Sequence, residues 1–211
     1  DVRVATGETG EDTVRLVTAS LVLDVALDPL ALDVHTPGGR HVCGVGGREK
    51  NHLALTGFVW DAFNTGICRA LPEGRPLAVE CFALHPQEAI YGFGEQFIRL
   101  DKVGQTIDLV MVEALGVTTP RSYKNVPFYL STRGYGVFFN HSARMTCWVG
   151  SRAAADVQIA IEDDFLDYYL FVGDLRTILA RYTDVTGKGR MPPKWSFGYW
   201  QSKISYASAA E

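Results

Sequence analysis

Four acidic residues stand within one short stretch of the sequence, in the order Glu162, Asp163, Asp164 and Asp167. Clustered carboxylates are the ligands that Ca²⁺ prefers, so their chemistry could suit that ion. The ligand spacing of an EF-hand loop is absent, however. We therefore interpret the stretch as a hairpin turn, and we expect neither a metal nor a cofactor in this chain.

Imidazoles set against a carboxylate could exchange protons with a sugar, as in sugar mutarotases. The chain has 5 histidines, of which His85 and His141 are the two candidates for this chemistry. The histidines show no paired spacing along the sequence. We therefore interpret His85 and His141 as structural or surface groups.

The cysteines are scattered, and no pair has metal-ligand spacing: Cys43, Cys68, Cys81 and Cys147. In a chain of this size, which can bury a full core, we interpret them as buried thiols rather than disulfides. Free thiols indicate a reducing compartment, so we expect a cytoplasmic location.

Charge and hydropathy exclude several classes of partner. The 211 residues carry a net charge of −4, with 47% hydrophobic and 21% charged residues. Acids and bases are interspersed without a basic stripe, which argues against nucleic acid and anionic membranes. No apolar run approaches the roughly 18 residues that span a bilayer. The sequence leaves a homo-oligomer open as a further partner.

Short apolar or alternating runs dominate the chain and predict the elements that must position any site. Examples are VRLVTASLVLDVAL, HLALTGFVW, PLAVECFAL and RMTCWVG, which are typical of strands. Glycine and proline clusters between the runs indicate turns, and residues 131–139 are predicted to form a hairpin. Many short strands at regular spacing predict an all-β sandwich.

One segment, GDLRTILARYTDVTG at residues 173–187, follows a helical period instead. Asp174 can cap the start of this helix, and Gly187 can end it. Its apolar side chains fall on one face, at Leu175, Ile178, Leu179, Tyr182 and Val185. We therefore predict one helix near the end of the sandwich.

The remaining residues predict a second unit. Met191-Pro192-Pro193 favours an extended linker, because proline fixes its own φ and restricts the preceding residue. Trp195, Phe197 and Tyr199 then alternate with small residues, which is typical of a barrel strand. The residues from Ser208 to Glu211 fit a capping box. We expect domains at 1–190 and 191–211, the second being the truncated start of a (β/α)8 barrel.

Three stretches carry a likeness to a known family. They are YGFGEQF at 91–97, YKNVPFYLSTRGYGVFFNH at 123–141 and MPPKWSFGYWQSKISYAS at 191–208. In this order and separation they resemble glycoside hydrolase family 31, the α-glucosidase and α-xylosidase family. The resemblance runs from about residue 85 to the end and is weaker upstream.

The resemblance implies a fold and assigns different roles to a sandwich domain and a barrel domain. It implies a galactose-mutarotase-like β-sandwich with one C-terminal helix, followed by a (β/α)8 barrel that supplies retaining α-glycosidase chemistry with two carboxylates. The family's catalytic aspartates lie on later barrel strands, and no position here matches their motifs. We therefore expect no catalytic residue in this chain. Its implied partners are the catalytic barrel and an oligosaccharide or glycoside substrate.

The resemblance also implies two substrate-binding residues. A sandwich loop, here residues 110–122, reaches the sugar subsites in this family. Many relatives carry an aspartate near its start, and Glu113 stands in that acidic position without the accompanying Trp and Asn. Ile204 follows the first barrel strand, where the family contacts the first sugar. A solvated loop acid remains the alternative for Glu113, and a disordered tail in the isolated chain is the favoured alternative for Ile204.

Glycines and polar residues within these stretches have structural interpretations. Gly92 and Gly94 resemble half of a dinucleotide fingerprint, but Phe97 breaks the pattern, so turn or bulge glycines are predicted. Lys124 and Asn125 precede a strand-like run and are predicted to serve in an ion pair or at a strand edge.

Two other functions stay open on the sequence. A free-standing carbohydrate-binding or mutarotase-like sandwich would bind sugars or exchange their anomers alone. A purely structural domain would only cover one face of the barrel, and Glu113 would then have no role in catalysis.

Overall fold

A computed structural model describes residues 5–10, 12–46, 66–70, 74–113, 121–202, 205, 207–208 and 210, with the backbone alone at 5–10 and 66–70. No helix in this part of the chain is long and apolar enough to cross a membrane. One α-helix, α1, covers Leu175–Thr186. The strands of these ranges are β1 (Ala5–Gly10), β2 (Thr13–Val17), β3 (Val22–Leu27), β4 (Leu30–His35), β5 (His41–Gly46), β6 (Gly66–Ala70), β7 (Arg75–Ala83), β8 (Ile90–Gly94), β9 (Gln105–Leu109), β10 (Asn125–Ser131), β11 (Tyr135–Phe139), β12 (Met145–Val149), β13 (Asp156–Ile161) and β14 (Tyr168–Val172).

The strands form two antiparallel sheets. Within the described ranges the larger sheet has ten strands, in the order β1-β2-β3-β4-β5-β7-β13-β12-β9, and β6 also pairs with β7. The smaller sheet has the order β14-β11-β10-β8. β10 and β11 form the predicted hairpin, with Ser131 opposite Tyr135. This architecture confirms the predicted all-β sandwich; the run HLALTGFVW at 52–60 lies outside the described residues.

One apolar core fills the space between the sheets. Alternate residues of β12 are buried, namely Met145, Cys147 and Val149, whereas all six residues of β13 are buried. Phe82 of β7 meets Tyr129 of β10 and Phe139 of β11 edge to face, with ring centroids 6.0 and 6.2 Å apart. The core therefore joins both sheets through aromatic contacts.

Helix α1 covers the outer face of the smaller sheet. Ile178 is fully buried there, and Tyr182 stacks on Phe128 with ring centroids 4.0 Å apart. Gly136 of β11 permits this approach, because a Cβ at that position would lie 2.7 Å from Cγ2 of Ile178. The helix thus belongs to the sandwich that the sequence predicted.

The ends of α1 follow the predicted caps. Oδ1 of Asp174 accepts from the Thr177 amide at 2.7 Å, and Gly187 has φ 98° and donates to the Thr183 carbonyl. The hydrogen bond from Thr177 lowers the pKa of the Asp174 carboxyl. The predicted apolar face is only partly buried, since Leu175, Leu179 and Val185 remain 43–45% exposed.

The acidic stretch at 162–167 is a turn, but the prediction of a hairpin was wrong. It joins β13 of the larger sheet to β14 of the smaller sheet, so its two flanking strands do not pair with each other. The Asp163 carboxylate accepts from the Asp164 amide at 2.9 Å. The turn therefore carries the chain from one layer of the sandwich to the other.

The strand predicted from Trp195, Phe197 and Tyr199 is not formed. Lys194–Phe197 is a 3-10 helix, in which both the amide and the hydroxyl of Ser196 donate to the Pro193 carbonyl. A strand requires a neighbouring strand for its backbone groups, and local hydrogen bonds satisfy these groups instead. The capping-box residue Glu211 lies outside the described residues.

Candidate functional site

The candidate site begins at β8, whose glycines bring two segments unusually close. Gly92 and Gly94 have φ 129° and 84°, and Phe93 between them has φ 67° and is fully buried. A Cβ on Gly92 would lie 2.5 Å from the Phe128 carbonyl oxygen, and one on Gly94 would collide with the Lys124 carbonyl. The register between β8 and β10 shifts here, which confirms the predicted bulge glycines.

The two ends of the 110–122 loop lie beside this close approach and contact each other. Met111 and Ser122 form an isolated bridge, and the Val112 amide donates to the Ser122 carbonyl over 3.3 Å. We call residues 110–112 and 122 the loop neck. The neck leaves β9 on one side and returns toward β10 on the other.

Asn125 binds both arms of the loop neck. Its Nδ2 donates to the Val110 carbonyl at 2.8 Å and to the Ser122 carbonyl at 3.1 Å. Its Oδ1 accepts from Nε2 of Gln96 at 2.6 Å, and that nitrogen also donates to the Phe93 carbonyl at 2.9 Å. One half-buried amide thus connects the loop neck to β8.

Ser122 supplies a second connection. Its side chain is buried, and its hydroxyl donates to the Glu95 carbonyl at 2.7 Å. On the surface above, Nζ of Lys124 lies 3.2 Å from Oε1 of Glu95. This exposed pair matches the predicted ion-pair role of Lys124, and exposed pairs of this kind contribute at most about 1 kcal/mol.

Of the two predicted substrate-binding residues, the structure describes one. Glu113 directly follows the loop neck, and its side chain is exposed. Residues 114–120 and Ile204 lie outside the described residues. An exposed carboxylate can accept hydrogen bonds from two sugar hydroxyls.

A cavity of about 460 Å³ opens beside the loop neck. Its polar lining is largely engaged, because Asn125 binds the neck and Arg144 binds the Asp108 carboxylate, whose hydrogen bond raises the pKa of Arg144. The rest of the lining includes Leu109, Met111, His141 and Met145. The cavity therefore presents apolar walls rather than free charges.

The two histidine candidates are engaged in local structure. Nε2 of His141 accepts from the Asp167 amide at 2.9 Å, so in the neutral ring the proton resides on Nδ1, which faces Asp163 at 3.4 Å. The His141 side chain has no exposed surface. Nδ1 of His85 accepts from the Gln87 amide at 3.3 Å. Both contacts confirm the structural interpretation.

The thiols are unreactive by position. Cys43, Cys81 and Cys147 are buried and take part in no disulfide, and the Cys68 side chain lies outside the described residues. Burial raises the pKa of Cys43 to about 12 and raises that of Cys147 further. Thiols that remain protonated are poor nucleophiles. Across the described ranges, no three His, Cys, Asp or Glu side chains are grouped closely enough to hold a metal ion.

The sequence interpretation missed the joint role of Asn125, Gln96 and Ser122. Asn125 was expected only at a strand edge or in an ion pair. A signal was present, because Gln96 and Asn125 belong to two of the three stretches that carried the family resemblance. The structure joins these two stretches through the hydrogen bond between Gln96 and Asn125.

Comparison with known proteins agrees with this fold. The family described as the glycosyl hydrolase 31 N-terminal galactose mutarotase-like domain matches residues 5–147. An α-xylosidase of Lactiplantibacillus pentosus is 42% identical over 114 residues, which cover 54% of this chain and 15% of the relative. An α-xylosidase of Emericella nidulans is 39% identical over 114 residues, covering 54% and 14%. The matched region is thus a small part of each relative.

A solved structure shares the fold over nearly the whole chain. A glycoside hydrolase 31 dextranase from Flavobacterium johnsoniae, in complex with isomaltotriose, superposes with a TM-score of 0.74 and 23% identity. The match covers 93% of this chain and 22% of the dextranase. At this identity the likeness concerns the fold alone.

Proposed function

Because this chain belongs to the glycosyl hydrolase 31 N-terminal galactose mutarotase-like domain family, we propose that it works as the N-terminal domain of a retaining α-glycosidase. The enzyme is of the α-xylosidase or α-glucosidase type and cleaves O-glycosidic bonds. The observation that carries the proposal is the family match over residues 5–147, supported by 42% identity to an α-xylosidase. The catalytic carboxylates belong to a barrel outside residues 1–211.

The sandwich contributes to this enzyme through the 110–122 loop. Glu113 accepts hydrogen bonds from sugar hydroxyls, and its exposure at the end of the loop neck supports this role. Ile204 lines the first sugar subsite. Retaining glycosidases act through a carboxylate nucleophile and a carboxylic acid on either side of the scissile bond. Glu113 binds the sugar beside that pair and takes no part in bond cleavage.

Residues 191–211 act as the linker and the first strand and loop of the catalytic barrel, after a sandwich of residues 1–190. The exposed aromatic side chains support this role, because Trp195, Phe197, Tyr199 and Trp200 are 65–90% exposed. Large aromatic side chains are rarely left this exposed without a partner. In the intact enzyme the neighbouring barrel strands supply the backbone partners that are missing around residues 195–200.

A cytoplasmic location is part of the proposal. Its support is that Cys43 and Cys147 are buried thiols that take part in no disulfide. Such thiols persist in a reducing compartment.

Activity assays test the proposed function. The intact protein that contains this chain is incubated with p-nitrophenyl α-xyloside and α-glucoside, and the first sugar released is identified by NMR. We expect cleavage with the α-anomer appearing first, and no cleavage by residues 1–211 alone. Cleavage by residues 1–211, or the β-anomer as first product, would overturn the proposal. Faster anomer exchange of fresh glucose by residues 1–211 would favour a mutarotase-like sandwich instead.

A further inference from the structure

The loop neck is held by one side chain, Asn125, which uses both of its N–H donors on the neck and one acceptor position on Gln96. The Nδ2 group of Asn125 has two N–H donors, and the carbonyls of Val110 and Ser122 lie 2.8 and 3.1 Å away. These two carbonyls belong to opposite arms of the loop. The side-chain amide of Asn125 therefore links the two arms of the loop neck directly.

The orientation of this amide follows from Gln96. Nε2 of Gln96 is a donor to the Phe93 carbonyl at 2.9 Å, and the same nitrogen faces Asn125 at 2.6 Å. The atom of Asn125 that faces it must therefore be the acceptor Oδ1. The reversed orientation would set donor against donor at Gln96, and an oxygen against both neck carbonyls. Gln96 thus fixes which way Asn125 points.

The contacts reach the residue beside Glu113. The Val112 amide donates to the Ser122 carbonyl, the same oxygen that accepts from Asn125. Glu113 is next in the chain, and its side chain is exposed. The backbone that leads to Glu113 is therefore defined by the arm-to-arm contacts of the neck.

We propose that Asn125 is a positioning residue that holds the loop neck and thereby fixes where Glu113 meets the sugar. The inference rests on the proposed function of Glu113. In this proposal Asn125 acts on the neck rather than on the sugar, because both of its N–H donors are taken by the neck carbonyls. A misplacement of a binding group by about 1 Å is enough to reduce catalysis strongly.

Two substitutions in the intact enzyme separate the roles of this amide. Asn125→Ala removes all of its contacts. Asn125→Asp keeps the acceptor for Gln96 but replaces the donors to Val110 and Ser122 with an oxygen, so it tests the neck contacts specifically. Asn140→Ala is the matched control, since Asn140 also donates through Nδ2, to Asp167 at 2.7 Å, in the turn between the sheets.

Both Asn125 variants are expected to lower kcat/KM for an aryl α-glycoside by about tenfold, and Asn140→Ala is expected to leave it unchanged. The same kcat/KM measurement in a Glu113→Ala background distinguishes a positioning role of Asn125 from a merely structural one. There, Asn125→Asp should lower kcat/KM by no more than about twofold, because residues that act through one another are not additive. An equal loss in both backgrounds would overturn the proposal, as would no loss with either Asn125 variant.

Hydrogen exchange tests, separately from catalysis, whether Asn125 holds the loop neck. In Asn125→Asp the Val112 amide should exchange faster, while amides of α1 keep their protection. Unchanged exchange of the Val112 amide would overturn the claim that Asn125 holds the loop neck. The Val112 amide could exchange faster in Asn125→Asp while Glu113→Ala keeps full activity. Asn125 would then hold the loop neck, but the proposal that it positions Glu113 for the sugar would be overturned. An intact protein that cleaves no α-glycoside would overturn the proposed function and this positioning role together, whatever the exchange result.

Discussion

The side-chain amide of Gln96 donates to Oδ1 of Asn125 over 2.6 Å, across 29 positions of sequence. This contact joins the glycine-rich strand β8 to the first residue of β10. It also orients the amide that binds both arms of the 110–122 loop. The core of the sandwich and its proposed substrate loop are thereby connected through two polar side chains.

Gly94→Ala is expected to destabilise the chain strongly. The substitution meets both a positive φ of 84° and backbone atoms of β10, with the Val126 amide nitrogen 2.7 Å from the added Cβ. Urea unfolding should show a loss of more than about 3 kcal/mol. Gly39→Ala is the matched control, because φ is 82° and no atom of the described residues lies within 4 Å of the added Cβ. It should cost about 1–2 kcal/mol. Equal costs at the two positions would contradict the close approach of β8 to β10.

Neighbouring residues of α1 should differ widely in their contribution to stability. Ile178 is fully buried against the smaller sheet, whereas Leu179 is 45% exposed. Ile178→Ala should cost about 2–5 kcal/mol in chemical unfolding, and Leu179→Ala should change stability by about 0.5 kcal/mol or less. A similar loss for both variants would mean that α1 packs on a different face.

The Arg15–Asp24 pair between β2 and β3 should stabilise the chain only above acidic pH. The Arg15 hydrogen bonds, at 2.5 and 2.9 Å, hold the pKa of Asp24 below its ordinary value of 3.8. The ionised carboxylate therefore stabilises the fold above that pH, and the contribution disappears as the pH falls through the lower pKa of the folded state. Asp24→Asn should lower Tm slightly at pH 7 and hardly at all at strongly acidic pH.

The size of that effect is limited by exposure, since the two side chains are 57% and 35% exposed. Pairs of this kind contribute about 1 kcal/mol or less and weaken in salt. Thermal melts across the acid range, with and without high salt, measure the difference. A Tm difference that is constant from neutral to acidic pH would show that the charge of Asp24 plays no part.

Residues 195–200 should respond to the rest of the enzyme. In the described structure they pair with no strand, and Tyr199 is 90% exposed. Their amides should exchange quickly in residues 1–211 alone and slowly in the intact enzyme, if the proposed barrel strands flank them there. Rapid exchange in both would contradict their role as the first barrel strand.

Local sequence patterns predicted the elements that local interactions determine. The period of Ile178 and Tyr182, with Asp174 at the cap, was sufficient for α1. The hairpin at 131–139 followed from apolar runs around a short turn. In both cases the residues that determine the structure lie within about a dozen positions of one another in the sequence.

Long-range contacts set the features that the sequence did not predict. β8 has two glycines in five residues, a poor strand composition, and forms because β10 pairs with it. The aromatic alternation from Trp195 predicted a strand that needs a partner outside the described chain. The role of Asn125 depends on carbonyls and an amide that meet only in the folded structure, so residue type alone could not indicate it.

The role of the 110–122 loop in substrate binding is tested by kcat/KM for p-nitrophenyl α-xyloside in the intact enzyme with and without Glu113→Ala. Asp164→Ala, an exposed acid in the turn between the sheets, serves as the control. Glu113→Ala is expected to lower kcat/KM by about tenfold, the value expected for one lost sugar contact, while Asp164→Ala is expected to have no effect. An unchanged kcat/KM in Glu113→Ala would contradict the claim that this sandwich supplies a substrate-binding loop and would leave it a purely structural domain.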